Sequence, residues 1–155
     1  MKFILLLFVL SSLVFAGCAS GEPAPDVNLF PLGKTTKLKL SDLKGKVVLI
    51  DAWATWCGPC RATMPTVQKL YDEFKDKGLE VVAVSDESPT VIQKFVKESL
   101  YTYPIYVDAD ASLNTGFKIV EIPATFVIDR SGNVIYEGHG ESEDALRKAV
   151  VQAIG

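Results

Sequence analysis

With 155 residues, 48% hydrophobic and 23% charged, the chain has apolar material for one compact domain plus an extension. A net charge of −3, with no basic cluster past the N-terminus, argues against a nucleic-acid partner. Three cysteines and one histidine are a poor basis for a zinc site, which takes about four ligands, so neither metal nor cofactor is expected.

Met1–Gly17 reads as an export signal: Lys2 is a short positive region, Phe3–Leu10 is uninterruptedly apolar, and small residues Ala16 and Gly17 follow. The apolar run is shorter than the about 20 residues of a membrane span. Phe15-Ala16-Gly17-Cys18 resembles a bacterial lipobox, with Phe15 where leucine is usual. That resemblance implies a lipidated Cys18 and attachment to a membrane in the cell envelope or periplasm; the alternative is ordinary cleavage near Ala16 that leaves a spare thiol. Residues 18–26, small and proline-containing, read as a tether, and 27–155 as the domain. Val27–Leu40 alternates around a Pro31–Gly33 turn and predicts an N-terminal hairpin. Ser41–Lys46 is a short turn.

Val47–Ile50 is an apolar run suited to a strand buried on both faces. Cys57-Gly58-Pro59-Cys60 follows, and then Val67, Leu70, Tyr71 and Phe74 fall at helical spacing. Cys57 is thereby placed just before or at a helix N-terminus. A thiolate is the species that attacks a disulfide, and a free cysteine, with a pKa near ~8.5, is mostly protonated at neutral pH. The positive end of a helix favours the anion by about 0.3–1 kcal/mol. Cysteine pairs of this type reach a pKa of about 7, a drop worth about 2 kcal/mol. A further thiol donor from Cys60 is then needed. Cys57 is the expected nucleophile and Cys60 the resolving thiol. A zinc pair and a purely structural disulfide are the rival readings of these two cysteines.

Gly78 is a candidate C-cap, and Leu79–Val84 a second buried strand. Ser88-Pro89 opens a helix with Ile92, Phe95, Val96 and Ser99 on one face. A short strand at Ile105–Val107 and a helical turn at Ala111–Gly116 follow. Ile122–Asp129 is a strand opened by a proline, turned by Arg130–Asn133 into Val134–Tyr136 as a hairpin. Ser142 caps a last helix with Leu146, Ala149, Val150 and Ala153 inward. This order predicts an α/β fold, a central mixed sheet with helices on both faces.

Asp51-Ala-Trp-Ala-Thr-Trp-Cys-Gly-Pro-Cys60, with Pro65 five residues on, resembles the active-site stretch of the thioredoxin superfamily. The longer pattern from about Pro25 onward resembles its TlpA/ResA branch of membrane-tethered, extracytoplasmic thiol–disulfide oxidoreductases. Leu79–Tyr106 is similar to the strand-and-helix insertion of that branch. The resemblance implies a thioredoxin fold and protein-disulfide reduction. It also implies exported disulfide proteins such as apocytochrome c as targets, with a membrane thiol donor as the source of electrons. The Gly-Pro pair is shared with thioredoxin, whose potential is about −270 mV against about −120 mV for DsbA, a gap of about 7 kcal/mol for two electrons. This favours the reducing direction. The Leu43–Val48 phrase is also similar to peroxiredoxin-like chains, so a peroxidase is a second reading, although Trp56-Cys57 is a poor match to a Thr-x-x-Cys nucleophile. A non-catalytic lipoprotein binding module is a third.

Asp51, six residues before Cys57 in an apolar strand, reads as a buried carboxyl with a raised pKa. Its expected role is a relay for the Cys60 proton; the alternative is a strand-end aspartate facing water. The resemblance implies a second candidate at Glu87, with an exposed loop acid as the alternative. Pro123 matches the family's cis-proline, which exposes backbone beside Cys57 to an extended substrate segment. Ile122, Trp56, Gly58 and Pro59 join it as substrate-touching residues. Trp53 is expected in the core, Pro65 as a kink, and His139 as a solvated loop residue.

Overall fold

The computed structural model describes residues 21–140 and 142–155. The expected signal peptide and the lipidation at Cys18 lie outside these residues. No helix among the described residues is long and apolar enough to cross a membrane.

The central strand β4 (Val47–Ala52) is buried at all six positions, as its β-branched run dictates. It pairs in parallel with β5 (Leu79–Ser85) and antiparallel with β7 (Ala124–Ile128). Outward on one side lie β8 (Asn133–Gly138) and β1 (Glu22–Pro23); on the other lie β6 (Ile105–Val107), β2 (Asn28–Pro31) and β3 (Leu38–Lys39). The order is β1-β8-β7-β4-β5-β6-β2-β3, an eight-stranded mixed sheet. β2 and β3 form the expected N-terminal hairpin.

Alternation along β4 divides the core. Val47 and Leu49 face the helices α1 (Gly58–Phe74), α2 (Pro89–Glu98) and α4 (Glu143–Ile154) through Met64, Val67, Ile92 and Leu146. Val48, Ile50 and Ala52 face Leu29, Leu40, Leu113 and Phe117. That second face is covered by the short helix α3 (Ser112–Gly116) and a 3-10 turn at Leu40–Leu43. The three long helices thus share one face.

The tether expected over 18–26 ends earlier. Glu22 and Pro23 pair with β8, and the Ala24 N–H donates to the Gly132 carbonyl at 2.9 Å. Asp26 accepts from the Ser41 N–H at 3.0 Å and from Lys39 Nζ at 3.1 Å. The open edge of β8 supplies backbone partners that a polar, proline-containing stretch can use as well as an apolar one. The strand expected from Ile122 starts at Ala124. Ser88 and Ser142 stand at the N-cap positions of α2 and α4, but neither side chain bonds to the helix. Gly78 has φ +95°, and a Cβ there would come within 2.8 Å of the Arg130 guanidinium, which caps the Gly45 and Lys77 carbonyls. Only glycine suits both demands.

Candidate active site

Strand β4 ends at Ala52, and five residues later Cys57 takes the N-cap position of α1, with extended backbone (φ −81°, ψ 101°). Cysteine thus stands where a serine or aspartate oxygen usually serves. Its Sγ accepts the Cys60 N–H at 3.2 Å. Pro59 has no N–H to offer, so the first-turn amide aimed at Cys57 sulfur is that of Cys60. The two cysteines form a disulfide. Cys60 is fully buried and Cys57 retains 4% of its surface, while Gly58 and Pro59 are exposed. The cysteine pair is approached across that glycine–proline edge.

Asp51 lies on the helix-covered face of β4, between Leu49 and Trp53. It has no exposed surface, and among the described residues neither carboxyl oxygen has a hydrogen-bond partner. Burial pushes its pKa from 3.8 up to about 7, because the anion has lost bulk water and gained no hydrogen bond from the described residues in return. The carboxyl is therefore poised to exchange a proton near neutral pH.

Glu87 is not an exposed loop acid. Its carboxylate accepts from the Thr55 N–H at 2.6 Å and from Thr55 Oγ1 at 2.7 Å, and Ser85 Oγ donates at 3.2 Å. It therefore fastens the loop between Trp53 and Cys57 to the end of β5. Both oxygens are committed to this clamp.

The Ile122–Pro123 bond is cis. Ala124, the next residue, pairs with Ala52, which sets Pro123 at the same end of the sheet as the cysteines. The loop after β8 closes behind it: a Cβ on Gly140 would stand 3.1 Å from Pro123 Cγ. Ile122 is half-buried and lines a groove of about 390 Å³ with Trp53, Trp56, Val84, Ile119 and Val120. Trp56 is 74% exposed on its rim. Trp53 is buried against Phe95, ring centroids 5.2 Å apart. His139 is exposed, as expected, with Nε2 3.3 Å from Glu137 Oε1.

A model of the AhpC/TSA family matches residues 20–137. The chain belongs to the AhpC/TSA family of thioredoxin-like proteins. It is 40% identical over 118 residues to thiol–disulfide oxidoreductase ResA of Oceanobacillus iheyensis, a match over 74% of this chain and 62% of that protein. ResA of Bacillus subtilis is 34% identical over 131 residues, covering 83% of this chain and 73% of its own length. The fold matches a Chlorobium tepidum crystal structure described as a DsbE thiol:disulfide interchange protein, with TM-score 0.79 and 33% identity over 88% of this chain and 98% of that one. The thioredoxin fold and the Cys57–Cys60 pair at the head of α1 make this chain a thiol–disulfide oxidoreductase.

One residue at the site escaped sequence reasoning. Tyr103, before β6, is buried with its hydroxyl unpartnered among the described residues, and the Asp51 charge acts on it. Its only mark in the sequence is its place in the Tyr101-Thr102-Tyr103-Pro104 run, which reads equally well as a strand edge.

Proposed function

We propose that this chain reduces disulfides in exported proteins at the cell envelope, held there by a lipid on Cys18. The observation that carries the reading is the Cys57 sulfur capping α1, alongside an Asp51 that is fully buried and has no hydrogen-bond partner among the described residues. In the reduced state the helix end and the Cys60 N–H favour the Cys57 thiolate. It attacks one sulfur of a target disulfide, forming the mixed disulfide and releasing the other target sulfur as a thiolate, which is then protonated. Asp51 takes the Cys60 proton as the Cys60 sulfur attacks Cys57 Sγ. The Cys57–Cys60 bond forms, the bond to the target breaks, and the second target thiolate leaves. Two electrons have passed to the target, and a membrane thiol donor returns them.

Support for the targets, apocytochrome c disulfides among them, comes from the resemblance to ResA and DsbE proteins. Pro123 and Ile122 supply the groove edge along which an extended target segment lies, with Trp56, Gly58 and Pro59 opposite. Glu87 holds the loop that presents Cys57.

Equilibration with glutathione tests the direction. A potential below about −180 mV, the isomerase value, is expected, and a higher one replaces reductase by oxidase or isomerase. Cys60→Ser in envelope extracts is expected to retain targets as mixed disulfides on Cys57.

A further inference from the structure

The buried, unpartnered polar groups among the described residues exceed those that the proton step uses. Asp51 Oδ1 and Oδ2, Trp53 Nε1 and Tyr103 Oη are all buried without a hydrogen-bond partner among the described residues. In the strand register Asp51 stands beside Ala83 of β5, and Ala83 stands beside Ile105 of β6. The Ala83 N–H also reaches the Pro104 carbonyl at 3.4 Å. Tyr103 precedes that strand and packs into the same helix-covered core as Leu49 and Trp53. A methyl side chain at Ala83 leaves lateral room for a phenol to extend toward the carboxyl. Burial, with the charges of Asp51 and Tyr101, pushes the Tyr103 phenol upward, so it stays protonated.

We propose that Tyr103 is a positioning residue for Asp51, sharing with it one buried water that holds the carboxyl in place and sets its proton affinity. This rests on the reading of Asp51 as the acceptor of the Cys60 proton. Buried waters settle where two to four polar groups converge, and a water bridge is nearly as good as a direct bond. A phenol hydroxyl both donates and accepts. It can therefore serve Asp51 as the anion that awaits a proton and as the acid that holds one. Of the titratable groups, Tyr103 from the segment before β6 feels the Asp51 charge, and Tyr101, whose ring centroid lies 5.5 Å from that of Tyr103, acts on the same phenol. The strand neighbours Ala83 and Thr125 do not titrate.

The experiment is a carboxyl ¹³C titration of Asp51 in the oxidised protein without substrate, so it reads the pocket whether or not the chain reduces targets. Tyr103→Phe removes one oxygen, and with it a donor to the anion. The Asp51 midpoint is expected to rise by about one unit, a tenfold change in proton affinity. With reduced protein at pH 7, release from the mixed disulfide is expected to slow several-fold in Tyr103→Phe, and no further when the change is made on Asp51→Asn. An Asp51 midpoint unmoved by Tyr103→Phe overturns the proposal, as does a slowing that persists in the Asp51→Asn background. A high-resolution crystal structure of the unaltered chain gives an independent reading. A water within hydrogen-bond distance of both Asp51 and Tyr103 Oη supports the proposal, and a dry pocket overturns it.

Discussion

Asp108, just beyond β6, keeps 6% of its surface, and its two oxygens accept the N–H groups of Leu113 at 3.0 Å and Asn114 at 2.9 Å, at the start of α3. Asp51, within β4, keeps no surface and accepts no hydrogen bond from the described residues. Both carboxylates have left water. One is solvated again by backbone amides and ties a short helix to the sheet; the other is left with a proton it holds to about pH 7. Burial alone therefore does not mark a reactive group. What distinguishes the two is whether backbone amides take the place of the lost water, and among the described residues none does so at Asp51.

Three substitutions, read in four measurements, sharpen or break this contrast. The largest effect is expected on stability at Asp51. Between pH 3.8 and about 7 the unfolded chain loses the Asp51 proton while the folded chain keeps it, so stability falls as pH rises. At about 1.4 kcal/mol per unit, roughly three units amount to about 4 kcal/mol. Asp51→Asn is expected to stabilise the fold by about that much in urea at pH 8 and by almost nothing near pH 3. Equal gains at both values remove the claim that the buried charge is the cause.

Next in size is the opposite sign at Asp108. Asp108→Ala deletes two hydrogen bonds to a charged acceptor, and about 3 kcal/mol of stability is expected to be lost in urea at pH 7. A loss under about 0.5 kcal/mol erases the contrast between the two sites. Third is catalysis. Asp51→Asn is expected to slow release of the mixed disulfide about a hundredfold at pH 7, the lower end for general acid–base catalysis, whereas Asp108→Ala leaves that step within about threefold in stopped-flow measurements. Smallest is the clamp at Glu87. Glu87→Ala frees a half-buried loop and is expected to cost about 1 kcal/mol, seen as faster exchange of the Thr55 amide. An unchanged amide takes the loop-holding role from Glu87.

Much of the fold was readable along the chain. The β-branched run of β4, the helical spacing of Val67, Leu70 and Phe74, and the prolines at the helix starts act over a few residues, and such signals survive without tertiary contacts. Likewise, the Cys57-Gly58-Pro59-Cys60 pattern between a strand and a helix locates the chemistry, and the family resemblance carries the cis bond at Pro123. Trp53 in the core and Trp56 on the rim follow from hydrophobic size beside a reactive turn.

Other features depended on partners distant in the sequence. The stretch at Glu22–Asp26 reads as a tether because its polarity is local, but its partners Asn133 and Val134 belong to the last strand. Glu87 could be exposed or buried until β5 met the loop at Thr55, 32 residues away. Tyr103 looked like any aromatic at a strand start.

By itself, then, the sequence determined the elements, the place of the two cysteines and the sulfur at the head of α1, because hydrogen bonding and sterics within a turn or two are encoded by neighbours. Only the tertiary structure decided which polar groups regain partners on leaving water. That depends on which strands lie side by side, and it separates Asp51 from Asp108.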